Sequence, residues 1–123
     1  MANAPAAIVE HIRLLISAGS LAGLAVPVRG IIVTSRSADP RFDFVSRFFA
    51  PASGIDEDPV TGSAHCCLGD FWSKRLGKEE FVAFQASARG GVVKVRVTKD
   101  RAFLGGKAVT VARGELLVEG DVA

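Results

Sequence analysis

Two neighbouring stretches, Arg47-Phe48-Phe49-Ala50-Pro51 and Glu57-Asp58-Pro59-Val60-Thr61-Gly62-Ser63-Ala64-His65, decide how this sequence of 123 residues folds. The first is typical of a strand, and the second of an acidic, proline-containing turn that leads into a helix. This order places the carboxylate of Asp58 and a hydroxyl beside a helix N-terminus, where backbone N–H groups attract anions. One short segment therefore offers a proton-transfer group and an anion site together.

The residues around this segment predict one helix surrounded by strands. Small and apolar residues from about 62 to 76 predict a helix that ends at Gly77. The residues of its first turns are small or apolar on nearly every face, so we expect protein to surround this part of the helix on most sides. An irregular loop is expected at residues 51–58. Strands are expected at residues 30–35, 42–50, 81–86, 93–98, 107–112 and 115–118.

The strand pattern predicts an α+β fold in which a mostly antiparallel sheet is wrapped around a central helix. Val93, Val95 and Val97 alternate with polar residues, which is typical of a sheet with one solvated face. Lys99-Asp100 and Gly105-Gly106 suit tight turns between the last strands. Phe48 and Phe49 are expected to pack in the core.

The first 29 residues are predicted to form a separate N-terminal helix and linker. Apolar residues recur at helical spacing over residues 6–18, with Asn3 as a possible cap and Gly19 as a possible end. Residues 30–123 are then expected to form one lobe, and the length of 123 residues favours a single domain overall.

Composition excludes several classes of function. The net charge is +2 and the fifteen basic residues are scattered among thirteen acidic ones, so we expect no nucleic-acid partner. No stretch approaches the roughly 20 apolar residues of a membrane span, and the N-terminus lacks the features of an export signal. Cys66 and Cys67 are adjacent and suggest no disulfide scaffold. The sequence therefore predicts a cytoplasmic protein.

Asp58 and the helix N-terminus are the candidate chemical groups. Proton transfer at carbon needs an acid and a base with pKa values near the working pH, and Asp58 could supply one of them. Alternatively, Asp58 is a turn or capping residue before Pro59. Thr61, Gly62, Ser63 and Ala64 lie where helix N–H groups have no intrahelical partner and could bind a substrate carboxylate, although Thr61 or Ser63 could simply cap the helix.

The remaining candidates are His65 and the segment Arg89-Gly90-Gly91. His65 is either a neutral core histidine or a contact to substrate or Asp58. Consecutive helix positions point in different directions, so His65, Cys66 and Cys67 predict no metal site, and the cysteines are expected to be small core residues. The Arg89 segment is either a hairpin turn with glycine at positive φ or a second cleft loop whose arginine pairs with a carboxylate.

At these positions the sequence resembles the phenazine biosynthesis PhzF-like family. The resemblance rests on Asp43-Phe44-Val45-Ser46-Arg47-Phe48-Phe49-Ala50-Pro51, on the 57–65 segment, on Gln85-Ala86-Ser87-Ala88-Arg89-Gly90-Gly91 and on Gly105-Gly106-Lys107-Ala108-Val109. It implies the diaminopimelate-epimerase fold, with two similar lobes and an active site between them. It also implies isomerisation or epimerisation by proton transfer without a cofactor, with Asp58 and Ser63 in the active site.

The resemblance covers only the second lobe of such proteins, roughly residues 30–118. The first lobe normally brings a catalytic glutamate and a histidine, and no motif here matches them. We therefore expect half of an isomerase, which binds a small carboxylated substrate and is active only when a homodimer or a separate N-terminal-lobe chain completes the cleft. The alternative is a catalytically inactive small-molecule-binding or truncated domain.

Overall fold

The computed structural model describes residues 29–118, in which six strands form one sheet and a single α-helix packs against it. A short 3-10 turn at Pro51–Ser53 joins the second and third strands. The predicted N-terminal helix and linker, except for Arg29, lie outside the described residues. The elements are β1 (Ile31–Arg36), β2 (Phe44–Ala50), β3 (Ile55–Asp58), α1 (Gly62–Leu76), β4 (Glu80–Gln85), β5 (Gly91–Val97) and β6 (Ala102–Gly105).

The predicted α+β class is confirmed, and the sheet is antiparallel except at its centre. The strand order is β1-β2-β4-β5-β6, with β3 also paired to β2. The pair β2–β4 is parallel, because α1 is the crossover that returns the chain to the same end of the sheet. β3 and β4 follow one another along the same side of β2, so the end of β3 meets the end of β4. This meeting point positions the candidate site.

The core lies between the sheet and one face of α1. Phe44 stacks on Trp72 and meets the edge of Phe81, with 5.7 Å between ring centroids in both pairs. The indole N–H of Trp72 donates to the Thr34 hydroxyl at 3.0 Å, which ties α1 to the edge strand β1. Phe48 and Phe49 are both buried, as predicted. The core cluster consists of Phe44, Leu68, Trp72, Phe81, Ala83, Val93 and Val95.

The helix ends as the sequence predicts, but protein covers less of it than expected. Gly77 adopts a left-handed conformation with φ 64° and donates its N–H to the Ser73 carbonyl, which closes α1. Residues on one face of α1 are buried, whereas Gly62, Ser63, Cys66 and Cys67 are exposed. The expectation that both cysteines are core residues was wrong, because the sheet covers only the other face of α1.

Two segments differ from the predicted strands. The loop expected at residues 51–58 contains β3, whose acidic sequence Ile-Asp-Glu-Asp has low strand propensity and is held by pairing with β2. Residues 107–112 and 115–118 were predicted as strands, but they pair with no strand among the described residues. The last described strand is β6, which ends at Gly105.

Candidate functional site

Asp58 is the last residue of β3, and its carboxylate is held by Thr61, the N-cap residue of α1. The hydroxyl of Thr61 donates to Asp58 Oδ2 at 2.5 Å. Thr61 has the extended backbone of an N-cap residue, yet no side chain of the described residues caps α1. The helix therefore starts without the cap that the sequence offered as an alternative, and its first turn carries no acidic residue. Its N–H groups and its positive dipole end remain available to an anion.

Gln85 fixes the position of both Asp58 and Thr61. This fully buried side chain accepts the Thr61 backbone N–H at 2.7 Å through Oε1. Its Nε2 donates to the Asp58 carbonyl at 2.8 Å and to the Thr61 hydroxyl at 3.1 Å. Since a backbone N–H can only donate, these contacts determine which end of the amide faces which partner. Gln85 thus spans the junction where β3 and β4 meet.

The hydrogen-bond directions assign a role to one oxygen of Asp58. The Thr61 hydroxyl oxygen accepts from Gln85, so its single proton is free to point at Asp58 Oδ2. Oδ2 is therefore an acceptor. Within residues 29–118 the other oxygen, Oδ1, takes part in no hydrogen bond, and the side chain is half-buried. Asp58 thus presents one fixed oxygen and one oxygen that can receive a proton.

A largely buried ion pair supports the strand that carries Asp58. Arg47 in β2 donates from Nε and Nη2 to the two carboxylate oxygens of Glu57, each at 2.7 Å. The hydrogen bond to Glu57 raises the pKa of Arg47. This two-point contact compensates for the low strand propensity of β3 and fixes the residue immediately before Asp58.

Arg29 brings a positive charge to the start of α1. Its Nη2 donates to the hydroxyl of Ser63, whose side chain is exposed. A guanidinium next to open helix N–H groups adds to the attraction for a carboxylate. Sequence reasoning missed Arg29, because it precedes β1 and lies 34 positions before Ser63 in the chain. No local pattern marks such a contact.

His65 lies in the core rather than at the surface. It is fully buried, stacks on Phe44, and its Nδ1 is 2.7 Å from the Thr61 carbonyl, to which it donates. Burial lowers the pKa of His65 below its ordinary value, so the ring is neutral at pH 7. The core-histidine alternative agrees with this position, and a direct contact to substrate does not. Ala64 likewise packs in the core, against Phe48 and Ala50.

The buried His65 makes stability depend on pH. The unfolded chain takes up a proton near the ordinary value of 6.5, whereas the folded chain takes it up only at lower pH. The free energy of unfolding is therefore expected to fall as the pH drops below 6.5, by up to about 1.4 kcal/mol per pH unit, and to level off below the folded pKa. Denaturant unfolding of wild type and His65→Gln across this range checks it. An identical pH slope in both chains would contradict the assignment.

The Arg89-Gly90 loop lies beside the same turn. Residues 86–90 connect β4 to β5, and Gly90 has a φ of 72°, which agrees with the hairpin alternative. The hydroxyl of Ser87 donates to the Pro59 carbonyl at 2.8 Å, which joins this loop to the Asp58 turn. A Cβ on Gly91 would lie 2.2 Å from Val60 Cγ2, so the close approach requires glycine. Arg89 is exposed on this loop.

The site is one open wall of the lobe, on which Gly62, Ser63 and Arg89 are exposed. A concavity of about 550 Å³ lies elsewhere, beside β4, β5 and β6, and is lined by Lys94, Arg96 and Phe103 among others. Among the described residues no group of three or more His, Cys, Asp or Glu side chains is placed to hold a metal ion. None of the helices in this part of the chain has the length and apolarity that a membrane span needs.

Comparison with known proteins finds the same family along most of the chain. The family model described as phenazine biosynthesis-like protein matches residues 21–114. An uncharacterized isomerase of Halalkalibacterium halodurans is 59% identical over 93 residues, which cover 76% of this chain and 35% of that protein. An uncharacterized isomerase of Pseudomonas aeruginosa is 54% identical over 91 residues, which cover 74% and 34%.

A solved structure is similar to this chain in both fold and sequence. The PhzF-family protein of Enterococcus faecalis superposes with a TM-score of 0.71 at 42% identity, over 84% of this chain and 38% of that one. The chain thus spans about a third of the length of the curated relatives it matches.

Proposed function

This chain belongs to the phenazine biosynthesis-like family, and we propose on that premise that it supplies one half of the site of an isomerase that moves a proton at carbon. In this proposal the lobe, expected to span residues 30–123, binds a small carboxylated substrate. A second subunit, either another copy or a separate N-terminal-lobe chain, supplies the opposite wall. No cofactor is needed, because both proton transfers use side chains.

The observation that supports this proposal most is the hydrogen bond from the Thr61 hydroxyl to Asp58. The hydroxyl holds the Asp58 carboxylate instead of capping α1. One residue thereby orients a proton acceptor and leaves the neighbouring helix N-terminus open. An acid–base group beside an anion site is what proton abstraction next to a substrate carboxylate requires.

Each site residue then has a distinct task. Asp58 receives or returns the proton through Oδ1. The N–H groups at Gly62, Ser63 and Ala64, with the Ser63 hydroxyl and Arg29, bind the substrate carboxylate. Arg89 and Gly90 approach from the β4–β5 loop and line the same wall. His65 packs beneath Thr61 and donates a hydrogen bond to the Thr61 carbonyl.

A catalytically inactive binding domain is the second candidate. The one-sided site favours it, because Asp58 Oδ1 has no hydrogen-bond partner among residues 29–118. A single wall binds an anion but does not complete a proton transfer between two positions.

Exchange of substrate hydrogen with solvent deuterium tests the isomerase. Incubation of the chain in D₂O with a panel of small amino and hydroxy carboxylates is expected to give deuterium incorporation that NMR detects. Asp58→Asn is expected to slow the exchange about 100-fold or more while binding changes little.

Asp100→Asn, in the exposed β5–β6 turn, is the matched control and should leave the rate unchanged. Binding by wild type without exchange would exclude a site completed by a second copy of this chain and would favour the inactive domain over it. Absence of binding to the whole panel would contradict both candidates.

The same proposal places the chain in the cytoplasm. Cys66 and Cys67 are free and exposed on α1. Exposed unpaired thiols persist in a reducing compartment, whereas oxidising compartments favour disulfides.

A further inference from the structure

The concavity of about 550 Å³ beside β4, β5 and β6 contains none of the residues of the candidate site. Its volume is within the range of about 300–1,000 Å³ that small-molecule sites occupy. Phe81 and Val95 border it, but their side chains belong to the core cluster. Residues at alternate positions of the three strands line it, namely Glu80 and Val82, Lys94 and Arg96, and Phe103 and Gly105. Because successive side chains of a strand point to opposite faces, the concavity opens on the sheet face opposite the core.

The register of the strands explains why this face has a depression. Lys94 is paired with Val82 of β4 on one side and with Gly105 of β6 on the other. Since glycine has no side chain, nothing rises from β6 next to Lys94, where a Cβ on Gly105 would lie 3.6 Å from the Lys94 Cβ. Two residues away along β6, Phe103 stands with 46% of its surface exposed. The depression therefore has a floor at Val82 and Gly105 and an aromatic wall at Phe103.

Arg96 is held at this wall by an aromatic ring rather than by a carboxylate. Its cross-strand neighbours are Glu80 of β4 and Phe103 of β6. The guanidinium carbon lies 4.4 Å from the centroid of the Phe103 ring. Among the described residues, no ion pair joins Arg96 to Glu80. A guanidinium that stacks on a ring keeps its N–H donors around its edge, where they can bind a carboxylate at two points.

The charges around the concavity leave one positive charge for a ligand. Asp43 and Lys78 at one end pair with each other, so their charges cancel. Neither Lys94 nor Glu80 makes an ion pair within the part of the chain that the structure describes. Glu80 offsets one of the two cations Lys94 and Arg96. The single remaining charge matches a carboxylate better than a phosphate, which carries about two negative charges at pH 7.

We propose that this concavity is a second ligand site, which binds a small monocarboxylate with an apolar body. Arg96 and Lys94 bind the carboxylate, and the apolar body covers Val82 and Gly105 and contacts the exposed part of Phe103. Burial of apolar surface on both sides supplies the affinity that an exposed charge pair alone does not.

Strand β6 separates this site from the candidate site. Leu104 comes between Phe103 and Gly105 in β6, so its side chain points to the opposite face. There its Cδ1 would lie 3.6 Å from a Cβ on Gly62, at the start of α1. The second ligand site is therefore distinct from the open helix N-terminus, and it does not depend on the function proposed above.

Titration of the full chain with 3-phenylpropanoate, followed by ¹H–¹⁵N NMR, tests the site. We expect saturable shifts of the backbone amides of residues 80–82, 94–96 and 103–105. The neutral analogue 3-phenylpropan-1-ol lacks the charge, and propanoate lacks the ring. Each is expected to bind at these residues about tenfold or more weakly, because one loses the charge-assisted hydrogen bonds and the other the apolar contact. Equal affinity of the acid and the alcohol would overturn the proposal.

Two arginine variants show whether the shifts come from this site. Arg96→Gln removes the guanidinium and is expected to weaken binding of 3-phenylpropanoate at residues 94–105 about tenfold or more. Arg101→Gln is the matched control, since Arg101 is exposed just before β6 and does not line the concavity, and it should bind like wild type. Equal weakening in both variants, or shifts confined to residues 62–64, would contradict a site at Arg96. Neither measurement uses proton exchange, so this result is separate from the outcome for the isomerase.

Discussion

Gln85→Leu is expected to lower the free energy of unfolding by about 2–5 kcal/mol, although the substitution adds apolar surface to the core. Two backbone groups, the buried Thr61 N–H and the part-buried Asp58 C=O, would lose the partner that the amide supplies at 2.7 and 2.8 Å. Each unsatisfied buried group costs about 1–3 kcal/mol. Leucine has a similar volume but neither donates nor accepts, so packing does not restore this loss.

The same substitution is expected to disorganise the candidate site. Without Gln85, the Thr61 hydroxyl loses its donor and is no longer directed to Asp58 alone. Denaturant unfolding measures the free energy of unfolding. It can be followed by circular dichroism and by the fluorescence of Trp72, which is the single tryptophan of the chain.

Ser73→Ala is the control for Gln85→Leu, because its hydroxyl bonds the Asp70 carbonyl near the exposed end of α1. We expect a change within about 0.5 kcal/mol for this surface substitution. A loss below 1 kcal/mol for Gln85→Leu would show that the amide does not hold the junction of β3 and β4.

Phe44→Ala is expected to cost about 3–5 kcal/mol, since it leaves a cavity at the centre of the core. Phe44 is fully buried and contacts three aromatic rings, those of Trp72, Phe81 and His65. Ordinary domains have only about 5–15 kcal/mol of stability, so the variant is expected to be partly unfolded at room temperature. Thermal unfolding followed by circular dichroism checks this expectation.

Phe103→Ala is the matched aromatic control. Phe103 lies on β6 with 46% of its surface exposed, and its ring is contacted by the Arg96 guanidinium at 4.4 Å. Its truncation is expected to cost about 1 kcal/mol or less, because an exposed cation–π contact contributes little and no cavity forms. Similar losses for Phe44→Ala and Phe103→Ala would contradict the position assigned to the core.

Residues whose structure depends on their immediate neighbours were predicted well. The helix that ends at Gly77 and the strand that contains Phe48 were both expected from local pattern, and both are present. The local sequence pattern did not predict β3, because its acidic residues have low strand propensity. Pairing with β2 and the Arg47–Glu57 ion pair outweigh that low propensity. The pattern also failed for residues 107–118, whose composition is that of strands but which meet no strand among the described residues.

The sequence by itself determined the family, the class of fold and the position of Asp58 just before a helix, because each depends on residues close together in the chain. Only the tertiary structure decided that Thr61 holds Asp58 rather than capping α1, that Gln85 aligns both, and that Arg29 reaches Ser63. It also decided that His65 is buried while Cys66 and Cys67 are exposed. These outcomes depend on contacts between residues far apart in sequence, which local periodicity does not encode.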